Sequence, residues 1–111
     1  MAIDREQFFA IMSAFPTGVA IVTTLAEDGT PRGLTTNAVC SVSADPPLLL
    51  VCVDRESRTL AALEHSKRFV VNFVADGRHD LARLFASKAD DKFAQVSWRP
   101  GLHGLPYERR K

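Results

Sequence analysis

The sequence predicts a mostly β domain with helices, its sheet antiparallel or mixed rather than doubly wound and parallel. Three observations carry this. Four segments rich in Val, Ile, Thr and Phe, at 19–25, 32–42, 48–53 and 69–74, have the length and composition of strands. Only three helical patterns lie among them, and the connections after the first and second strands are short turns. Neither a G-x-G-x-x-G nor a G-x-x-x-x-G-K-[ST] run is present, so no nucleotide-binding strand-to-helix turn marks a parallel sheet.

In chain order, Asp4 with Gln7 three residues on forms an acidic capping box. Phe8, Phe9, Ile11, Met12 and Phe15 follow at roughly helical spacing, so a helix is predicted over 5–14, stopped by Pro16 and Gly18. Val19 to Leu25 is the first strand. Glu27-Asp28-Gly29-Thr30 is a turn, and Arg32 to Val42 returns as the second strand of a hairpin. Asp45-Pro46-Pro47 breaks that strand. Leu48 to Val53 is a continuous apolar run, which predicts a strand buried on both faces. Ser57 caps a helix reaching about His65. Phe69 to Val74 is the fourth strand, and Leu81, Leu84 and Phe85 set a third helix over 78–86. A polar stretch from Ser87 to Lys92 leads to Phe93, Val96 and Trp98, after which Pro and Gly dominate. Four strands leave open edges and cannot close a barrel, so further strands are expected beyond the C-terminal end of the sequence.

The chain of 111 residues is long enough for one domain, 1–111, with 46% apolar and 24% charged residues. Its 14 basic and 13 acidic residues leave a net charge of +1, which implies no field toward nucleic acid or an anionic membrane. The longest apolar run, 46–53, is too short to span a bilayer, and residues 1–6 lack the apolar core of a secretory signal, so a cytoplasmic location is expected. Cys40 and Cys52 form no C-x-x-C pair and lie in apolar stretches, which reads as two buried thiols without a disulfide. His65, His79 and His103 are dispersed and read as surface histidines; no metal site and no acid–base catalytic residue is singled out.

Two segments could carry chemistry. Gly33-Leu-Thr-Thr-Asn-Ala-Val-Cys-Ser-Val-Ser43 concentrates small hydroxyl and amide side chains on one strand. Small side chains let a planar ligand approach the backbone while Thr and Asn supply polar contacts; a polar edge strand facing water reads equally well. Cys52-Val-Asp-Arg-Glu-Ser-Arg-Thr59 runs into a helix start, where free N–H groups, Ser57, Thr59 and an arginine could seat a phosphate, or could form an ordinary capped helix.

Taken together, these segments resemble the flavin reductase family, the small NAD(P)H-dependent enzymes that supply reduced flavin to two-component monooxygenases. The resemblance runs from Phe8 to about Pro106. It is carried by Phe15-Pro-Thr-Gly-Val-Ala-Ile-Val-Thr-Thr24, by Gly33 to Ser43 with Pro46-Pro47, by Leu48-Leu-Leu-Val-Cys-Val53, by Phe69-Val-Val-Asn-Phe73 and by the stretch from Phe85 to Phe93. The resemblance implies a Greek-key split β-barrel, usually a homodimer, that binds FMN or FAD without a covalent link and uses NADH or NADPH as co-substrate. It implies that Thr35, Thr36, Asn37 and Ala38, with Ser41 and Val42 beyond, line the flavin ring and ribityl chain. It places Cys52, Val53, Asp54 and Ser57, with Arg58 and Thr59, toward the ribityl and phosphate end. Lys88 or Lys92 would hold the phosphate, Phe93 would pack beside the ring, and Phe15, Pro16, Thr17 and Gly18 would face the nicotinamide.

Two departures stand out. Asp54 occupies a position where many family members have Asn, and a carboxylate near a phosphate is unfavourable unless Arg55 or Arg58 neutralises it. Family members also continue after Gly-Leu-Pro with several more strands, among them a Gly-Asp-His segment on the nicotinamide side. Here Gly104-Leu105-Pro106 is followed by Tyr-Glu-Arg-Arg-Lys, so a barrel shortened at its C-terminus is expected. Beside a flavin reductase, the sequence is therefore compatible with a flavin-binding module without turnover or a dimerising structural fragment.

Overall fold

The computed structural model describes residues 2–89, 91–101 and 106–108, the last three by backbone alone. Helix α1 (Arg5–Met12) starts on the predicted capping box. The Asp4 carboxylate accepts the Gln7 N–H at 2.8 Å, and Gln7 Oε1 accepts the Asp4 N–H at 3.0 Å. The helix stops earlier than Ala14, because the Ser13 hydroxyl bonds back to the Ala10 carbonyl at 3.1 Å and Ser13 caps the end. No residue of α1 is buried.

Strands β1 (Ala20–Leu25) and β2 (Pro31–Thr36) form the predicted antiparallel hairpin, in register from Ala20 opposite Thr36 to Leu25 opposite Pro31. Gly29 takes a φ of +84°, which only glycine adopts freely, and the Asp28 carboxylate accepts the Thr30 N–H at 2.9 Å. Thr30, through its side chain first and its N–H second, holds the Asp28 carboxyl below its ordinary pKa.

The predicted second strand over 32–42 is in fact two strands. Thr36 Oγ1 accepts the Ala38 N–H at 2.9 Å, and this local bond turns the chain out of the sheet at Asn37. The chain resumes as β3 (Val39–Ala44), which pairs with β4 (Pro47–Val51) in a separate two-stranded sheet. The pair turns through a cis Asp45–Pro46 bond, and its register slips at Val42. Leu48 and Leu50, predicted to be buried, are 52% and 51% exposed. Their sheet has only two strands, and among the described residues no layer covers them. Cys40 and Cys52, expected to be buried, are exposed for the same reason, since they sit on and just beyond this pair.

The strand buried on both faces is β1. It is the centre of a three-stranded sheet in the order β2-β1-β5, with β5 at Val70–Phe73, and every residue from Ala20 to Thr24 is buried. Thr24 is fully enclosed, and its hydroxyl offsets that cost by donating to the Arg68 carbonyl at 2.8 Å. Helices α2 (Arg58–Ser66) and α3 (His79–Ala86) pack on β1 and β2. Ser57 caps α2 as predicted, its Oγ accepting the Thr59 N–H at 3.2 Å.

Ile21, Leu81 and Phe85 form the core, joined by Val74, Leu84, Phe93 and Val96. A short 3-10 turn (Lys92–Gln95) then leads to β6 (Trp98–Pro100), which pairs antiparallel with β7 (Pro106–Glu108). The described residues thus hold seven strands rather than four, in sheets of three, two and two that do not close into a barrel. The last pair escapes sequence reading because its Pro and Gly content reads as turn. His65 and His79 are exposed, whereas His103 lies outside the described residues.

Candidate functional site

A cleft of about 690 Å³ opens over β2, between the run 52–59 and the end of α3 with the turn that follows it. Its position follows from three local facts. The first is Gly33. A Cβ there would lie 3.0 Å from the Phe85 ring and 3.3 Å from Phe93, so only a glycine lets β2 sit this close to α3 and the 3-10 turn. The second is Thr35, whose hydroxyl donates to the Ala82 carbonyl at 2.7 Å and pins α3 across the strand. The third is Thr59, whose hydroxyl donates to the Gly33 carbonyl at 3.2 Å and sets the first turn of α2 against β2.

The cleft has two chemically distinct ends. Thr36 and Cys52 sit together at one end, where the Cys52 N–H donates to the Ala38 carbonyl at 3.0 Å just past Thr36. These groups are neutral and small. At the other end Arg32, Arg58, Lys88 and Lys92 gather beside the N-terminus of α2. The Arg58 guanidinium donates to the Lys88 carbonyl, and Lys92 Nζ donates to the carbonyls of Gly33 at 3.2 Å and Phe85 at 2.9 Å. Burial lowers the Lys92 pKa, and the Arg58 and Arg32 guanidiniums lower it further. An anion entering here would relieve that repulsion, and the helix start adds partial positive charge. Asp54 and Glu56 also line the cleft. The Asp54 carboxylate is turned to the Glu56 N–H at 2.9 Å, a local turn contact.

Of the residues singled out in the sequence, Thr35, Thr36, Cys52, Val53, Asp54, Ser57, Arg58, Thr59, Lys88, Lys92 and Phe93 all line this one cleft. Asn37, Ala38, Ser41 and Val42 do not. The turn at Thr36 carries Asn37 and Ala38 to an exposed corner, and Ser41 and Val42 onto the outer β3 strand. Phe15, Pro16, Thr17 and Gly18 are likewise exposed and are not among the residues that line the cleft. Sequence reasoning missed Arg32 and the structural part of Gly33. A glycine inside a strand was the available signal, since it marks a close approach. Among the described residues no group of three or more His, Cys, Asp or Glu could hold a metal ion, and no helix is long and apolar enough to cross a membrane.

A neutral, hydroxyl-lined end joined to a cationic end suits a ligand with a polar ring system at one end and phosphate at the other. The residues present therefore fit a flavin nucleotide. Comparison with known proteins agrees. The flavin reductase like domain matches residues 12–109. The flavin reductase (NADH) of Kitasatospora aureofaciens is 50% identical over 102 residues, covering 92% of this chain and 53% of that protein. Among solved structures, the nitrilotriacetate monooxygenase component B homologue from Mycobacterium thermoresistibile superposes with a TM-score of 0.88 at 38% identity, over 94% of this chain and 57% of that one. The NADH:FAD oxidoreductase SgcE6 of Streptomyces globisporus C-1027, solved with NAD and FAD fragments, gives 0.85 at 38% identity, over 93% and 62%. The chain thus spans about half the length of the curated relatives it matches. With the domain match covering nearly all of its residues and the cleft chemistry in accord, this chain belongs to the flavin reductase like domain family.

Proposed function

We propose that this chain forms the flavin seat of an NAD(P)H-dependent flavin reductase that passes reduced flavin to a partner monooxygenase. When bound, the flavin (FMN or FAD) supplies the chemistry, taking a hydride from NADH or NADPH. The residues of this chain bind and orient. Thr35 and Thr36 are the polar contacts for the ring and ribityl chain. Ser57 and Arg58 at the start of α2, with Arg32 and Lys88, hold the phosphate, while Thr59, its hydroxyl given to the Gly33 carbonyl, sets that turn in place. Phe93 packs at the ring. The reading assigns no proton transfer to a side chain of this chain.

The observation that carries the reading is the gathering of Arg32, Arg58, Lys88 and Lys92 at the capped start of a helix, opposite a hydroxyl-lined strand. The finer features of the family belong to the same proposal. These are a single split-barrel domain over 1–111 that the family continues further, a homodimer and a cytoplasmic location. Support for a second copy comes from α1 and β4, whose large apolar side chains are about half exposed.

The test is an absorbance titration of the purified chain with FMN and FAD, followed by addition of NADH or NADPH. A bound-flavin spectrum that bleaches with turnover supports the reductase. A bound flavin that no nicotinamide bleaches supports the second reading, a binding module without turnover. That reading is favoured by the fact that Phe15 to Gly18, expected on the nicotinamide side, are not among the residues that line the cleft. No uptake of either flavin rejects both.

A further inference from the structure

Lys92 was a candidate phosphate ligand, yet its ammonium is engaged inside the protein. It donates to the Gly33 carbonyl at 3.2 Å and to the Phe85 carbonyl at 2.9 Å. Two of its three N–H donors are thereby committed to neutral acceptors. Those acceptors belong to different elements. Gly33 lies in the middle of β2, and Phe85 lies in the last turn of α3, where carbonyls lack intrahelical partners and a cation is favoured.

The lysine itself opens the 3-10 turn, and the next residue is Phe93. The Phe93 ring meets Phe85 edge-on at 5.1 Å and Trp98 edge-on at 5.6 Å. One ammonium therefore joins β2, α3 and the 92–98 segment at the floor of the cleft. The fit there has no slack, because even a Cβ added at Gly33 would lie 3.0 Å from the Phe85 ring and 3.3 Å from Phe93.

From this geometry we infer that Lys92 is a positioning residue: its ammonium clasps β2 to α3 and so fixes the Phe93 wall of the cleft, instead of binding the phosphate of the ligand. The phosphate is left to Arg58, Arg32, Lys88 and the start of α2. For its binding readout the inference rests on the flavin reading of the cleft; its fluorescence readout stands apart from that reading.

The experiment compares K92M and K92R with the unaltered chain. Emission of Trp98, the only tryptophan, reports the aromatic ladder. Titrations with riboflavin and with FMN separate ring contacts from phosphate contacts. Loss of the clasp is expected to red-shift Trp98 in K92M and to weaken riboflavin and FMN by the same factor, about tenfold. K92R keeps donors for both carbonyls and should regain part of both affinities together. Weakened FMN with unchanged riboflavin, in either variant, would make Lys92 a phosphate ligand and overturn the inference. Unchanged emission in K92M overturns it as well. If the unaltered chain binds neither flavin, the flavin reading falls, and the Trp98 shift alone decides the clasp.

Discussion

Strands β1 and β4 carry similar apolar runs. Ala20-Ile21-Val22 is at most 3% exposed, whereas Leu48-Leu49-Leu50 is 44–52% exposed. The difference lies in their neighbours. β1 is flanked by β2 and β5 and packed by α2 and α3, while among the described residues β4 pairs with β3 alone. A continuous apolar run states a capacity for burial, and the topology decides whether it is used. The same contrast divides the molecule into a finished half, where the cleft sits on a packed sheet, and an outer half of α1 and the β3–β4 pair that keeps apolar surface in reserve. Covering the three β4 leucines would contribute on the order of 3 kcal/mol, before the cost of ordering whatever covers them.

The sharpest test of the contrast is a truncation in the finished half. Phe85 is 4% exposed, meets Phe93 edge-on and belongs to the core cluster. F85A should lower unfolding stability by about 3–5 kcal/mol, read as a shift in urea midpoint. A loss under about 1 kcal/mol would mean that the sheet side is no better packed than the outer pair.

Next in size is G33A. In an unstrained position, Gly→Ala usually stabilises a protein by limiting the unfolded chain. Here the added Cβ meets the Phe85 ring at 3.0 Å, and that ring is held by its own packing. The expected sign is therefore reversed, with a loss of about 1–3 kcal/mol together with weakened flavin uptake. A neutral or stabilised G33A would show that α3 can retreat from β2 at little cost.

What the sequence allowed one to read follows the range of the signals. The Asp4–Gln7 box, the Asp28-Gly29 hairpin and the Ser57 cap are decided within four residues, and each stands where it was expected. The split of the second strand is also local, but it rests on which of several acceptors captures the Ala38 N–H, and Thr36 competes with the sheet for it. The exposure of β4 and of the cysteines depends on partners far away in the chain, which periodicity does not encode. The cleft was legible as two segments, Gly33–Ser43 and Cys52–Thr59, although only Gly33 to Thr36 of the first line it. The family resemblance joined them with Lys88 or Lys92, whereas the part of Arg32 needed the register of β2 and the position of α3.

A smaller effect follows from Lys92. Its pKa lies below the ordinary 10.5, from burial first and then from Arg58 and Arg32. In the interval between that lowered value and 10.5 the unfolded chain binds more protons at this residue than the folded one. Stability therefore rises with pH through that interval, and the cost of the charged lysine is fully present below it. The urea midpoint of the unaltered chain, relative to K92M, should climb as pH is raised toward 10.5. A flat difference would indicate that the cleft end is more hydrated than its lining suggests.

The smallest expected change in monomer stability comes from the outer half, and it separates the two regions by its sign pattern. Leu49 is 44% exposed on β4, so L49K removes little native packing and should move the urea midpoint of dilute protein by an amount equivalent to less than about 0.5 kcal/mol. If a second copy covers β4, the unaltered chain gains stability with concentration, because association draws on the folded state alone. A lysine in that surface would have to be buried without a partner, so the concentration dependence of Tm should vanish in L49K. Sedimentation at rising concentration supplies the independent check. An unaltered chain that stays monomeric, with a Tm independent of concentration, would mean that no second copy covers the β4 leucines. A large loss of stability in dilute L49K would instead show that β4 already takes part in the packed core, and the division between the two halves would fail.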